Sequence, residues 1–163
     1  MIWIFDLDFT LYSEYDVDES STNKKFYESF GRKALLNDLL KKLKGKKYIF
    51  SNGSKSHVED VISKMKMKMI FKKIAYSEEY QKLKPHISAY QYVINKFKLQ
   101  NEENIYFFED TLENLKTAKK FGWKTIYITS KKSNRKYKYV DYTFSNIETA
   151  IFYFKTITNK KKN

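Results

Sequence analysis

Two carboxylates and a hydroxyl follow the first apolar run of the chain. Residues 2–5 read Ile-Trp-Ile-Phe, and Asp6, Asp8 and Thr10 come after them at every second position. A wholly apolar run with β-branched and aromatic residues predicts a strand buried on both faces, as in a parallel sheet covered by helices. Two carboxylates at the end of such a strand are unfavourable unless a cation or a substrate binds them. Because open α/β sheets bind ligands at the carboxyl ends of their strands, we expect a site here.

Further polar side chains follow the other predicted strands. They are Ser51 and Asn52 after the second strand, Lys84 before the helix that follows the third, and Glu109 and Asp110 after the fourth. The carboxyl ends of parallel strands lie at the same edge of a sheet, so these side chains should converge on the first pair of carboxylates.

This combination of side chains indicates phosphoryl transfer. Clustered carboxylates raise one another's pKa unless a hard cation lies among them, and Mg²⁺ prefers oxygen ligands and accepts a phosphate beside them. Ser51 and Lys84 could hold the remaining phosphate oxygens. One aspartate could attack phosphorus to form an aspartyl-phosphate, while the other protonates the leaving oxygen and later activates water. The residue types alone leave open which aspartate has which role.

Strands and helices alternate along the chain. The predicted strands are residues 2–5, 47–50, 74–76, 104–108, 125–129 and a last short one at 142–144. Single helical patterns separate them, of which the clearest is the leucine-rich segment 32–44. We therefore predict an α/β fold, a doubly wound (Rossmann-like) three-layer sandwich with a mostly parallel sheet.

Local signals predict where three of the helices begin. Ser56 and Glu59 have the spacing of a capping box, and so do Ser145 and Glu148 before the last helix. Pro85, the only proline, fits a first helical turn.

Length and composition predict one intracellular domain. At 163 residues we expect a single domain over 1–158 and a disordered tail over 159–163. The absence of cysteine excludes disulfides and thiol chemistry. No run approaches the roughly 18 apolar residues of a membrane span, and no basic segment precedes the first apolar run. We expect a cytoplasmic protein without a membrane partner.

The formal net charge of +13 supports two interpretations. A basic surface favours polyanionic partners, but almost all of this charge is lysine, with Arg32 and Arg135 as the only arginines. We favour compositional drift as the source of the charge, with selection for an anionic macromolecule as the alternative. The basic stretch 131–139 is likewise either a nucleic-acid contact or a solvated loop.

Four motifs taken together resemble the haloacid dehalogenase (HAD) superfamily in order and spacing. They are Asp-Leu-Asp-Phe-Thr at 6–10, Ser-Asn-Gly at 51–53, Lys-Pro at 84–85 and Phe-Glu-Asp-Thr-Leu-Glu-Asn at 108–114. The first motif with its following Leu-Tyr, and the His after Lys-Pro, are most similar to the pyrimidine 5′-nucleotidase-like branch. The resemblance covers the chain from Ile2 to about Ile151 and implies a HAD-like fold.

The resemblance also implies a role for each motif residue. Asp6 would be the nucleophile and Asp8 the general acid and base. Mg²⁺ would be bound by Asp6, the backbone carbonyl of Asp8 and Asp110, with Glu109 as a further ligand or as a support beside the ion. The phosphate-binding residues would be Thr10, Ser51, Asn52 and Lys84. Asn114 would orient a neighbour, whereas His57 and His86 are expected at the surface.

Two departures from the family pattern bear on the substrate. Phe9 stands where the similar branch has a small or polar residue. Only the segment 13–30 is available to cover the site, so we expect a flap or a vestigial cap and an open mouth. A large partner or a second copy of the chain could close over that mouth.

We therefore expect a Mg²⁺-dependent phosphomonoester hydrolase that acts on a nucleotide-like or a larger phosphorylated substrate. A nucleic-acid-end phosphatase is one alternative. A non-catalytic binding protein that retains the fold is another.

Overall fold

The computed structural model describes residues 1–11, 34–100, 102, 104–131 and 135–160. The segment 13–30, predicted as a flap or vestigial cap, lies outside these residues. Within the described part of the chain, no helix has both the length and the apolar character needed to cross a membrane.

Six parallel strands form one sheet in the order β3-β2-β1-β4-β5-β6. They are β1 (Ile2–Phe5), β2 (Lys46–Phe50), β3 (Lys73–Ala75), β4 (Ile105–Glu109), β5 (Lys124–Ile128) and β6 (Tyr142–Phe144). The predicted α/β class is confirmed, and every neighbouring pair is parallel. The first strand lies in the middle of the sheet, where Phe5 is in register with Ile49 on one side and Phe108 on the other.

Five helices are present in the described residues. They are α1 (Ala34–Lys42), α2 (Lys55–Lys64), α3 (Ile87–Phe97), α4 (Leu112–Lys120) and α5 (Ile147–Lys160). The backbone of α5 runs two residues into the segment 159–163, which the sequence predicted as a disordered tail, and residues 161–163 lie outside the described part.

The helices cover both faces of the sheet, which makes the three layers that the sequence predicts. Trp3 and Phe5 point into a core formed with α1, α2 and α5, whereas Ile2 and Ile4 point into a second core formed with α3 and α4. All four side chains of β1 are at most 1% exposed. Because β1 is buried on both faces and paired on both edges, it is a rigid support for the residues that follow it.

The predicted helix starts are displaced by one or two residues. Ser54, not Ser56, caps α2, since its hydroxyl accepts a hydrogen bond from a backbone amide of the first turn. Asn146, not Ser145, does the same for α5. Pro85 precedes the residue that caps α3 instead of lying in the first turn. Several polar residues stand close together at each of these starts, so spacing alone could not select the cap.

Candidate active site

The carboxyl edge of the sheet brings the predicted residues together. Asp6 follows β1, Ser51 follows β2, and Glu109 is the last residue of β4. The backbone amide of Asp6 donates to the Phe108 carbonyl at 2.9 Å, which extends the pairing of β1 with β4 up to the site. Strand order alone therefore places a carboxylate from each of two neighbouring strands at the centre of this edge.

Lys84 joins the two carboxylates. Its Nζ donates to Asp6 Oδ1 at 2.6 Å and to Glu109 Oε2 at 2.8 Å. The third bond goes to the backbone carbonyl of Phe50 at 2.8 Å. The Lys84 side chain is 1% exposed. An ammonium has three hydrogens to donate, so each has a partner and the cation is fixed in position.

Asn52 holds the backbone of the loop that carries this lysine. Its Oδ1 accepts from the Lys84 amide at 2.9 Å, and its Nδ2 donates to the Lys84 carbonyl at 3.0 Å. The Thr117 hydroxyl donates to the next carbonyl, that of Pro85, at 2.9 Å. The sequence predicted that Asn52 binds phosphate, whereas in the structure its amide group is engaged with the Lys84 backbone.

Glu109 supports the lysine with both of its oxygens. Oε1 accepts from the backbone amides of Asp110 and Thr111, each at 3.1 Å. Oε2 accepts from Asn114 Nδ2 at 2.9 Å in addition to Lys84. The residue is 1% exposed. Asn114 thus orients a neighbour, as the resemblance implied, and that neighbour is the glutamate.

Two hydroxyl groups lie buried at the site. Ser51 is fully buried, and its Oγ accepts from the Gly53 amide at 2.9 Å, which leaves the hydroxyl hydrogen to donate elsewhere. Its carbonyl accepts from the Tyr80 hydroxyl. The Thr10 hydroxyl is buried without a hydrogen-bond partner among the described residues. Both groups are donors that a ligand oxygen could satisfy.

Asp8 has a partner that the sequence analysis missed. His57 Nε2 lies 2.6 Å from Asp8 Oδ1, and this hydrogen bond raises the pKa of His57. The expectation that His57 is only a surface residue is wrong. A Cβ at Gly53 would lie 2.9 Å from the imidazole, so glycine allows the ring to pack here. The available signal was the position of this histidine in the first turn of α2, at the carboxyl end of β2. His86 is exposed, as expected.

Negative charge exceeds positive charge in this cluster, because three carboxylates face one buried ammonium. Burial and the neighbouring Glu109 raise the pKa of Asp6 well above its usual value, against the opposing effect of Lys84. Burial, followed by the hydrogen bond and the charge of Glu109, raises the pKa of Asp110 to about 7. Burial alone would lower the pKa of Lys84, but the two carboxylates outweigh it and raise the pKa.

The same carboxylates fit a divalent cation. One oxygen each of Asp6, Glu109 and Asp110 lies within 4.8 Å of the others. Oxygen ligands suit hard cations such as Mg²⁺, and a cation among these groups would favour their ionised forms. The donor set therefore fits the metal that the sequence predicted.

A protein-family model matches most of the chain. The family described as haloacid dehalogenase-like hydrolase matches residues 12–128. The matched segment begins after Asp6 and Asp8, so these two aspartates are supported by their own geometry. No curated protein matches the chain.

Solved structures share the fold. The putative HAD-hydrolase YfnB from Bacillus subtilis is 15% identical, with 94% of this chain and 97% of that chain covered and a TM-score of 0.68. CbbY from Rhodobacter sphaeroides is also 15% identical, with coverage of 90% and 94% and a TM-score of 0.63. L-2-haloacid dehalogenase from Xanthobacter autotrophicus is 15% identical with a TM-score of 0.63, and 77% of this chain spans only 62% of that enzyme.

Proposed function

The chain belongs to the haloacid dehalogenase-like hydrolases, and we propose that it is a Mg²⁺-dependent phosphomonoester hydrolase that acts through an aspartyl-phosphate on Asp6. The observation that carries the proposal is the pairing of two differently supported aspartates. Asp6 is held by a buried lysine, while Asp8, two residues on, is hydrogen-bonded to His57. One is suited to attack phosphorus and the other to exchange protons.

In the first half of the reaction, Asp6 attacks the phosphorus atom. Its Oδ1 accepts from Lys84, and its Oδ2 has no hydrogen bond among the described residues and is therefore the attacking oxygen. As the new bond between Oδ2 and phosphorus forms, the bond between phosphorus and the leaving oxygen breaks. Asp8 gives its proton to that oxygen, which leaves as an alcohol.

In the second half, water releases the phosphate. Asp8, now ionised, takes a proton from a water molecule whose oxygen bonds to phosphorus. The bond between phosphorus and Asp6 breaks, which returns the Asp6 carboxylate and yields inorganic phosphate. Asp8 ends with the proton that it had at the start, so the cycle is balanced.

Binding of the phosphate oxygens falls to donors at the edge of the sheet. Ser51 and Thr10 have hydroxyl hydrogens to offer, and Lys84 would exchange one of its protein acceptors for a phosphate oxygen. Asp6 and Asp110, with the Asp8 carbonyl, would hold Mg²⁺, which when bound neutralises phosphate charge. Glu109 would act beside them by fixing Lys84.

Dehalogenation is the competing reaction within this family, since one of the similar structures is an L-2-haloacid dehalogenase. A halide leaves as a stable anion and needs no proton from the enzyme. A carboxyl group at position 8 with a histidine beside it has a task in ester hydrolysis and none in halide release. The geometry thus supports phosphate-ester hydrolysis over dehalogenation.

We propose a nucleotide-like monoester as the substrate, in line with the motifs that resemble the pyrimidine 5′-nucleotidase-like branch. The net charge of +13 favours a phosphorylated nucleic-acid end as the second candidate. Salt separates the two. Hydrolysis of a 5′-phosphorylated strand should weaken steeply between 50 and about 200 mM salt, because lysine contacts with phosphate release counterions. Hydrolysis of a mononucleotide should change little.

The deciding experiment traps the intermediate. The purified protein is mixed with Mg²⁺ and a ³²P-labelled monoester, quenched in acid, and digested to locate the label. We expect phosphate on Asp6 that hydroxylamine releases, and none in Asp6→Asn. Label on another residue, or turnover by Asp6→Asn at the parent rate, contradicts the mechanism. Release of halide from 2-chloropropionate without phosphatase activity favours the competing reaction.

A further inference from the structure

Phe9 has an unusual backbone conformation at the mouth of the site. Three described residues other than glycine have positive φ, namely Phe9 at 60°, Lys66 at 57° and Lys98 at 59°. The two lysines lie just past the ends of helices, where a left-handed residue is common. Phe9 instead lies in the turn between Asp8 and Thr10, where no helix end accounts for it.

Two unfavourable features coincide at this residue. A left-handed conformation is sterically disfavoured for a bulky side chain, and a phenyl ring exposed to water gains nothing from burial. The ring is 50% exposed, whereas Leu7 and Leu11 on either side of the turn are fully buried. The Leu11 amide donates to the Leu7 carbonyl at 2.9 Å and closes the turn. The turn is thus anchored inward by two leucines and presents Phe9 outward.

Strain and exposure of this kind cluster at binding sites, where the substrate compensates for them. Asparagine or glycine would adopt this φ with less strain, so the backbone conformation does not explain why residue 9 is a phenylalanine. Neither the left-handed backbone nor the exposed ring of Phe9 contributes to the buried Lys84 network. The ring does provide a flat apolar surface one residue from Asp8.

From this placement we infer that Phe9 binds a planar ring in the leaving group of the substrate, with a nucleobase as the expected ring. The inference rests on the proposed function, in which Asp8 protonates the leaving oxygen. The leaving group then lies beside Asp8, and the Cα atoms of adjacent residues are about 3.8 Å apart. A ring carried by the leaving group can therefore stack on Phe9, as bases stack on aromatic side chains in nucleic-acid-binding proteins.

The test compares two substrates whose scissile bond is to the same ribose 5′-oxygen but whose leaving groups differ in carrying a base or none. A purine nucleoside 5′-monophosphate and ribose 5-phosphate differ by the base alone, so their kcat/KM ratio isolates recognition of the ring. We expect the parent protein to favour the nucleotide. Phe9→Leu should lower the ratio by about tenfold, the effect typical of one lost base stack. Phe9→Trp should retain it.

Control variants separate the ring from the fold. Phe152→Leu removes a ring of similar exposure from α5 and should leave the ratio unchanged. Phe9→Asn suits the left-handed backbone, so it should fold at least as well as the parent and still lose the preference. The free nucleoside should inhibit ribose 5-phosphate hydrolysis by the parent more strongly than by Phe9→Asn.

The outcomes distinguish the two claims. If the parent hydrolyses both sugar phosphates with the same kcat/KM, or if Phe9→Leu and Phe9→Asn keep the parent ratio, the ring-binding inference is overturned while the phosphatase stands. If no phosphomonoester is hydrolysed, an aryl phosphate included, the proposed function fails and the inference fails with it. A parent preference that every Phe9 variant without an aromatic ring loses supports the inference.

Discussion

Two aspartates in this protein make the same short contact with a lysine and acquire opposite acidities. Asp6 accepts from Lys84 at 2.6 Å at the carboxyl edge of the sheet, and Asp141 accepts from Lys119 at 2.6 Å before β6. The pKa of Asp6 is raised, whereas that of Asp141 is lowered. A lysine at hydrogen-bond distance therefore does not by itself decide how acidic a carboxyl group is.

The surroundings make the difference. Asp6 is buried beside Glu109 and Asp110, so desolvation and like charge both oppose its ionisation. Burial also opposes ionisation of Asp141, but the hydrogen bonds from Lys119 and from the Thr125 amide and hydroxyl, at 2.8 and 3.0 Å, outweigh it. In the cluster around Asp141, Lys119 and the Thr125 donors balance the carboxylate within the protein. The cluster around Asp6 has more negative charge than Lys84 balances, as expected of a group of side chains that binds a cation and an electrophile.

The largest expected effect comes from changing Asp6, the carboxylate proposed to react. Asp6→Asn is nearly isosteric but would remove the proposed nucleophile, and turnover of an aryl phosphate should fall by about 10³-fold or more. Asp141→Asn, the matched change in the other cluster, should leave kcat/KM within about twofold. Steady-state kinetics with equal amounts of folded protein measure both. Equal losses in the two variants would mean that the site is elsewhere.

The next effect concerns the two lysines. Lys84→Met leaves Asp6 and Glu109 buried without their cation and should lower the free energy of unfolding by about 3–5 kcal/mol. Lys119→Met removes a contact whose side chains are 34% and 24% exposed, and should cost about 1 kcal/mol or less. Denaturant titration of both variants gives the two values. A smaller loss for Lys84→Met than for Lys119→Met would contradict the description of the Lys84 network.

The sequence predicts the fold well because the sheet follows from short apolar runs. β1 is a wholly apolar run that ends at a carboxylate, and its predicted limits match those observed. β6 is only three residues long and was also found, since its position after the fifth strand left little alternative. The helix starts were predicted less accurately. Whether Ser54 or Ser56 caps the helix depends on the angle at which the chain leaves β2, and the spacing of residues in the sequence gives no information on that angle.

The candidate site was predictable in its members but not in its contacts. Strand order brought Asp6, Lys84 and Glu109 together as expected. Which polar groups bind each other depends on side-chain directions, and so the hydrogen bonds of Asn52 to the Lys84 backbone were not predicted, while phosphate binding by Asn52 stays a prediction. His57 was missed because a lone histidine on a helix has no partner in the sequence, and Asp8 is 49 residues away.

Stabilisation by Mg²⁺ is an effect of intermediate size that should also distinguish the cluster around Asp6 from the cluster around Asp141. Mg²⁺ that binds the folded protein alone should raise the free energy of unfolding by about 1–3 kcal/mol at concentrations well above its dissociation constant. Asp110→Asn should lose this stabilisation, because a hard-cation site deprived of a carboxylate binds weakly. Asp141→Asn should keep it, since its cluster has no unbalanced carboxylates. Thermal unfolding with Mg²⁺ or with EDTA measures the effect without reference to activity, and an unchanged melting temperature in the parent protein would contradict a magnesium site.

The smallest expected effect is a pH dependence of the free energy of unfolding that comes from the Asp141 carboxylate. The folded pKa of Asp141 lies below its ordinary value of 3.8, so its ionised form is preferentially stabilised in the native state. That contribution is present above the unfolded pKa and is lost as the pH falls through the folded pKa. Asp141→Asn should therefore lower the free energy of unfolding by about 1–2 kcal/mol between pH 5 and 7, and the difference from the parent should shrink below about pH 4. Lys119→Met provides the control, because it removes the cation that stabilises the Asp141 carboxylate. Asp141→Asn should therefore lower the free energy of unfolding by less in a Lys119→Met background than in the parent. A gap that widens as the pH falls would have the wrong sign and would show that the Asp141 carboxylate is not stabilised in the folded state.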